Sequence, residues 1–246
     1  MENNIGKEFV RMTKYANLEP SPQSLGVPLP PLELPLPPDA EILPLPDGKA
    51  IELPALDLIT LVEERESLRK YADTALSLQE LAFLLWGTQG IKSISAKPIT
   101  RRTVPSAGSR HPLDTFLMVN RVEGLQPGLY RYMAVEHKLA HLSAPADFNP
   151  LMTEACLKQP HVGNSAVTFM WVADVQRTIW RYCQRGYRYL YLDAAHVCQN
   201  LYLLAGAIDC GVSAIGAYDD DQVNHLLDLD GENQFAIYLA TLGKRA

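Results

Sequence analysis

Residues 101–112 read Arg101-Arg102-Thr103-Val104-Pro105-Ser106-Ala107-Gly108-Ser109-Arg110-His111-Pro112, a proline-bounded run of small side chains set just before an apolar segment. Small residues let the main chain approach a flat ligand closely, and the loop's amides and hydroxyls can bond a ring's polar edge. A plain surface turn has much the same composition. The run therefore takes its meaning from what surrounds it.

Downstream, Thr115 to Asn120, Leu129 to Ala134 and Lys138 to Leu142 have strand composition, the last two as a hairpin, and Ala166 to Val172 reads as a central strand. Upstream, a helix is expected near Leu58 to Glu64. Another is announced by Ser77-Leu78-Gln79-Glu80, a capping box, and should end at Gly87 or Gly90. Tyr187 to Cys210 predicts one long helix, closed by Gly211 in the left-handed conformation. Val212 to Ala217 and Phe235 to Leu242 should be extended around a short helix at Asp220 to Leu227. Helices and hairpin strands come in runs rather than in regular βαβ alternation, which argues an α+β fold.

Eleven of the eighteen prolines lie between Pro20 and Pro54, interleaved with leucines as in Pro28-Leu29-Pro30-Pro31-Leu32. Proline fixes φ and lacks an amide donor, so this stretch should run extended. A linker or an SH3-type ligand fits that composition. The regular leucines favour an arm laid across its own or a partner subunit. The division expected is an extended Pro-rich arm over 1–56 and one globular domain over 57–246.

The net charge of −6 and pI near 5.5 offer no basic stripe for a phosphodiester backbone, which argues against nucleic acid. The amino terminus lacks a secretory pattern, and the most apolar long segment carries Arg188, Asp193, His196, Gln199 and Asn200, too polar for a membrane span. A cytoplasmic protein with no membrane partner is expected. Cys156, Cys183, Cys198 and Cys210 stand far apart and read as reduced thiols. His137 and His141 fall on a hairpin, where i,i+4 spacing forms no metal face, and Asp219-Asp220-Asp221 reads as a helix N-terminal charge run, so no metal is expected. Asp193 and His196 read as interface or core polar residues.

Three further segments can carry chemistry. In Arg65-Glu66-Ser67-Leu68-Arg69 alternate residues can share one side of an extended chain, which makes two guanidiniums and a hydroxyl a phosphate and polyol clamp. A solvated charged turn is the plain alternative. Val212 to Tyr218 follows the long helix, and Gly243-Lys244-Arg245 lies near the end of the chain.

In this order and at these separations the four pieces resemble the flavin-binding framework of the nitroreductase-like superfamily. The Pro-Ser-Ala-Gly loop, the Tyr187-Arg188-Tyr189 entry to the long helix and the proline-rich lead-in look most like its SagB-type azoline dehydrogenase branch. The resemblance implies a central, mostly antiparallel sheet flanked by helices, and FMN at a homodimer interface. By position, Arg65 and Ser67 would meet phosphate and ribityl, and Arg69 the N1–C2=O side of the ring. Pro105, Ser106, Ala107 and Ser109 would meet the ring's other edge, with Ile215 and Gly216 near N5, and Lys244 and Arg245 would complete the phosphate site.

The activity implied is hydride transfer between NADH or NADPH and an organic small-molecule acceptor. Two alternatives stand beside it: an azoline dehydrogenase working with a peptide-modifying partner, and a non-catalytic partner-binding protein that keeps the fold. That branch carries a Lys-Tyr pair before the long helix, and the match here is Arg181-Tyr182, the candidate catalytic pair. Arginine stays protonated and cannot act as a base, so azoline oxidation by the branch's usual route is not expected.

Overall fold

The computed structural model describes residues 4–96 and 99–246. In chain order the helices are α1 (Ile5–Met12), α2 (Leu58–Glu63), α3 (Leu78–Gln89), α4 (Phe148–Ala155), α5 (Pro160–Asn164), α6 (Val175–Tyr182), α7 (Gly186–Gly206) and α8 (Asp220–Leu226). The strands are β1 (Glu41–Pro44), β2 (Ile91–Ile94), β3 (Thr100–Arg102), β4 (Leu113–Val119), β5 (Gly128–Met133), β6 (Lys138–Leu142), β7 (Val167–Asp174), β8 (Cys210–Ile215) and β9 (Gln234–Lys244). Seven strands form one sheet in the order β1-β6-β5-β4-β7-β9-β8, every neighbour antiparallel, and β2 and β3 form a separate hairpin. The fold is α+β.

Alternation along the central strands feeds two cores. In β7, Val167, Phe169, Trp171 and Ala173 face the layer of α3 and α7, while Met170 and Val172 face α4 and α8. Both faces are covered, so β7 is apolar at almost every position and its period-two signal is hidden in the sequence.

The capping box forms: the Ser77 hydroxyl accepts from the Glu80 amide while the Glu80 carboxylate accepts from Ser77. The long helix stops earlier than the sequence suggests, at Gly206, and Cys210 and Gly211 already belong to β8. The left-handed residue at this turn is Asp209, with φ of 55°. Gly211 is required for a different reason, because a Cβ there would lie 2.2 Å from the Leu68 side chain.

The proline-rich segment lies on its own chain. Trp180 holds it twice, donating from its indole to Val27 O and accepting at its carbonyl from Gln23 N. Arg131 donates to the carbonyls of Leu34 and Pro35, Glu33 accepts from Val135 N, and β1 then pairs with β6 as an edge strand. Proline is tolerated at such an edge because no ladder bond is lost. Ahead of it, α1 is a helix not anticipated in the sequence, tied down by Arg185 and Arg188 through Thr13 and Val10.

Candidate functional site

The predicted site residues fall into two groups, one on each edge of the buried stripe of α7. The first is built on the loop of 105–109. Ser106 donates from its hydroxyl to Asp193 at 2.6 Å, and the Ala107 amide donates to the other carboxylate oxygen at 3.2 Å. The same hydroxyl accepts from His111 N at 2.8 Å. Asp193 is buried, and burial raises its carboxyl above the usual range while Ser106 and Ala107 pull it back down. Gly108 adopts φ of 58°, and a Cβ there would come within 2.5 Å of the Tyr182 hydroxyl and 3.0 Å of Arg181 Cδ. The loop thus presses its backbone against Arg181 and Tyr182, bringing together Pro105, Ser106, Ala107, Ser109 and the candidate catalytic pair.

The second group gathers at Tyr202. Its hydroxyl accepts from the Ala214 amide at 2.9 Å and lies 3.0 Å from Ser67 Oγ, while Arg65 stacks over its ring at 5.4 Å. Ser67 itself bridges to Val212, so the extended segment runs beside β8. Arg65, Tyr202, Val212 and Arg245 line a cleft of about 580 Å³ that also carries Glu63, Glu64, Glu66 and Asp209. Arg245 is paired there with Glu66 at 3.0 Å. Arg69 is exposed, and no carboxylate pairs with it or with Arg65 among the described residues.

Two predicted positions stand apart from these groups. Lys244 does not join the others: its ammonium points inward to Glu80 and the carbonyl of Ile208, because neighbouring residues on a strand face opposite sides. Ile215 sends its side chain into the core beneath α4 and α8, so only its main chain is available to a ligand. Gly216 is open, with nothing within 4 Å of a built Cβ.

Asp193 and Tyr202 organise the two groups, and neither was singled out for this in the sequence. A buried acid on the apolar stripe of α7 was the available signal. Their separation of nine positions makes about two and a half turns, which places them roughly 180° apart around the helix and ~13 Å apart along it. Tyr191, Leu192, Ala195, His196 and Gln199 lie exposed on the face between.

A family model described as the nitroreductase family matches residues 62–244. The chain belongs to the nitroreductase family. A nitroreductase-family protein of Methanocaldococcus jannaschii is 28% identical over 202 residues, which cover 81% of this chain and 98% of that protein. The trifolitoxin operon protein TfxC of Rhizobium leguminosarum bv. trifolii is 26% identical over 204 residues, 78% of this chain and 56% of that protein. Among solved structures, a nitroreductase-family protein of Anabaena variabilis matches with TM-score 0.68 and 29% identity, over 85% of this chain and 42% of that one. The E. coli microcin synthetase complex McbBCD with truncated pro-MccB17 bound contains a chain of the same fold, with TM-score 0.62 and 18% identity, over 98% of this chain and 92% of that one. This nitroreductase-family chain thus spans little more than half of the Rhizobium relative and less than half of the Anabaena chain. Among the described residues, no helix is long and apolar enough to cross a membrane.

Proposed function

We propose that this chain is an FMN-dependent oxidoreductase that moves hydride between NADH or NADPH and an organic acceptor, working as a homodimer with one flavin held between subunits. The observation that carries the reading is the division of the site across α7. One ligand cannot touch both the Asp193 edge and the Tyr202 edge of the same helix across its width. If the exposed face of α7 packs on its counterpart, the two edges that meet come from different copies.

The residues present fit the cofactor. Among the described residues Arg65 and Arg69 have no carboxylate partner, and they suit phosphate and an electron-rich ring edge, since arginine forms bidentate charge-assisted bonds. Ser67 offers a hydroxyl to the ribityl chain, and open Gly216 admits a flat ring close to the backbone. Asp193 holds the loop of 105–109 so that its backbone faces the ring's other edge. Bound there, the flavin supplies the two-electron chemistry, and the protein supplies orientation and electrostatics. Arg245 would have to leave Glu66 to reach phosphate.

The relation to TfxC supports a second reading, in which the same chemistry serves a peptide-modifying assembly. Arg181 in place of a base weighs against azoline oxidation there. The absorption spectrum of the purified protein, before and after incubation with FMN, tests the first reading. A yellow protein with one flavin per chain is expected; a colourless protein that takes up no FMN would favour a partner-binding role instead.

A further inference from the structure

Arg110 and Arg181 flank the loop of 105–109 with their positive charges uncompensated. Neither has a carboxylate within ion-pair distance among the described residues, although the chain as a whole carries a net charge of −6. Arg110 is 8% exposed, so its charge is held largely out of water without an acid to balance it. The two guanidiniums meet at Gly108: Arg110 donates its Nε–H to Gly108 O, and a Cβ built on Gly108 would lie 3.1 Å from Arg181 Nε. Burial and then the charge of Arg181 hold Arg110 below its ordinary pKa. Arg185 and Arg188 extend the positive region. They too donate to hydroxyls and carbonyls of Thr13, Val10 and Tyr189 rather than to carboxylates.

Both guanidiniums are held by aromatic rings. Arg110 lies over Trp180 at 5.2 Å and Arg181 over Tyr182 at 5.6 Å. Stacking engages the face of a guanidinium and leaves its N–H edge free, the arrangement suited to two-pronged bonding of a carboxylate or phosphate. Arg110 spends only its Nε–H, on Gly108 O at 3.2 Å. Trp180 is fixed from behind by its two hydrogen bonds to the arm, at Gln23 and Val27. Tyr182 is fixed by its edge contact with Tyr189. Two like charges held together with spare donors repel unless an anion sits between them.

We infer that Arg110 and Arg181 form a fork for an anionic group, carboxylate or phosphate, on the compound that exchanges hydride at this site. The inference rests on the flavoenzyme reading above, which puts the loop of 105–109 at the flavin's edge. The anion has two sources, an acidic group on the acceptor or the 2′-phosphate of NADPH. The fork is separate from the Arg65 and Arg245 cleft, which lies at the opposite edge of α7.

The test compares wild type with Arg110→Gln and Arg181→Gln, using 4-nitrobenzoate against neutral 4-nitrobenzamide and NADPH against NADH. For a fork that holds the acceptor, each variant raises KM for 4-nitrobenzoate at least tenfold more than it raises KM for 4-nitrobenzamide, whatever its effect on kcat. For a fork that holds the nucleotide, the same excess loss falls on NADPH relative to NADH. Equal effects on charged and neutral partners, or none on either, overturn the proposal. Titration of inorganic pyrophosphate, followed by tryptophan fluorescence, reads the fork without turnover, because Trp180 lies against Arg110. Saturable quenching weakened at least tenfold in both variants is expected even if the flavin reading fails. Titrations that coincide for wild type and variants would overturn the fork while leaving that reading intact.

Discussion

Asp193 accepts hydrogen bonds from the Ser106 hydroxyl and the Ala107 amide on its two carboxylate oxygens, so a single buried side chain of α7 sets the height of the loop above the helix. Removing it leaves two donors without partners in a closed environment. Each such orphan costs about 1–3 kcal/mol. Asp193→Ala should lower unfolding stability by about 2–6 kcal/mol on that basis and weaken FMN binding, whereas Asp193→Asn, which keeps one acceptor oxygen, should do less of both. Urea titration beside flavin titration checks this. An Asp193→Ala protein of wild-type stability would show that the loop holds itself.

The two basic residues near the end of the chain should behave differently from one another. Lys244 is tied to Glu80 and to Ile208 O, so Lys244→Ala should lower stability and weaken riboflavin and FMN to the same small extent. Arg65→Ala and Arg245→Ala should weaken FMN alone, by about 1.5–3 kcal/mol where a charge-assisted bond to phosphate is lost. Riboflavin lacks that phosphate and should hardly respond. Equal losses for both flavins in Arg65→Ala would place this residue away from the phosphate.

Much of this architecture is readable in the chain because its signals are local. The Ser77-Glu80 capping box forms within four residues, and the strands 128–133 and 138–142 are neighbours in the chain that pair as a hairpin. What escaped is long-range. Gly211 looks like a helix terminator until Leu68, more than a hundred residues earlier, is seen against it. Lys244 looks like a free cation until β9 turns it toward Glu80. The α1 helix carries an apolar stripe of Ile5, Phe9 and Met12 yet shows no buried residue, and its anchors, Arg185 and Arg188, lie at the start of α7 far along the chain. The candidate site is legible as a set of residue types. Its division between two edges of α7 depends on helical phase as well as on contacts with Ser106 and Ser67.

His111 gives the protein an acid-sensitive point. Burial, then Arg102 and Arg110, push its pKa down to about 3 from an ordinary 6.5. The folded state therefore refuses a proton that the unfolded chain accepts. Its contribution is fully present above the unfolded value and is lost as pH falls from ~6.5 toward the folded value, at up to ~1.4 kcal/mol per pH unit. Asn tolerates the left-handed backbone at this position, where φ is 45°. The difference in stability between wild type and His111→Asn should widen in favour of the variant between pH 6.5 and pH 4. A difference independent of pH would mean that His111 titrates normally.

On the proposed reading, Arg181 stands where a base would be needed to draw a proton from an azoline ring. An arginine guanidinium does not serve as a base, and here it lies over the Tyr182 ring. Oxidation of a thiazoline peptide to a thiazole should be undetectable in the wild type, with flavin reduction by NADH or NADPH intact. Tyr182→Phe should slow only acceptors that require proton delivery. Rapid thiazole formation that depends on Arg181 would reverse the assignment.

A flavin site shared between two copies makes a prediction that a single-chain site cannot meet. Arg65 belongs to the Tyr202 edge of α7 and Asp193 to the other. If each flavin lies between edges from two copies, a heterodimer of Arg65→Ala with Asp193→Ala contains one site bearing both changes and one bearing neither. Random re-pairing yields heterodimers in about half the population, so about a quarter of all sites regain wild-type FMN affinity. Were both edges to serve one chain's own flavin, every site in the mixture would keep one lesion and none would recover. Mixing the two variants after mild dissociation, then counting high-affinity sites by FMN titration, separates the cases. Leu192→Glu, on the exposed face of α7, should yield monomers by light scattering and abolish recovery together with flavin binding. Monomers that still bind FMN tightly would place the dimer contact elsewhere.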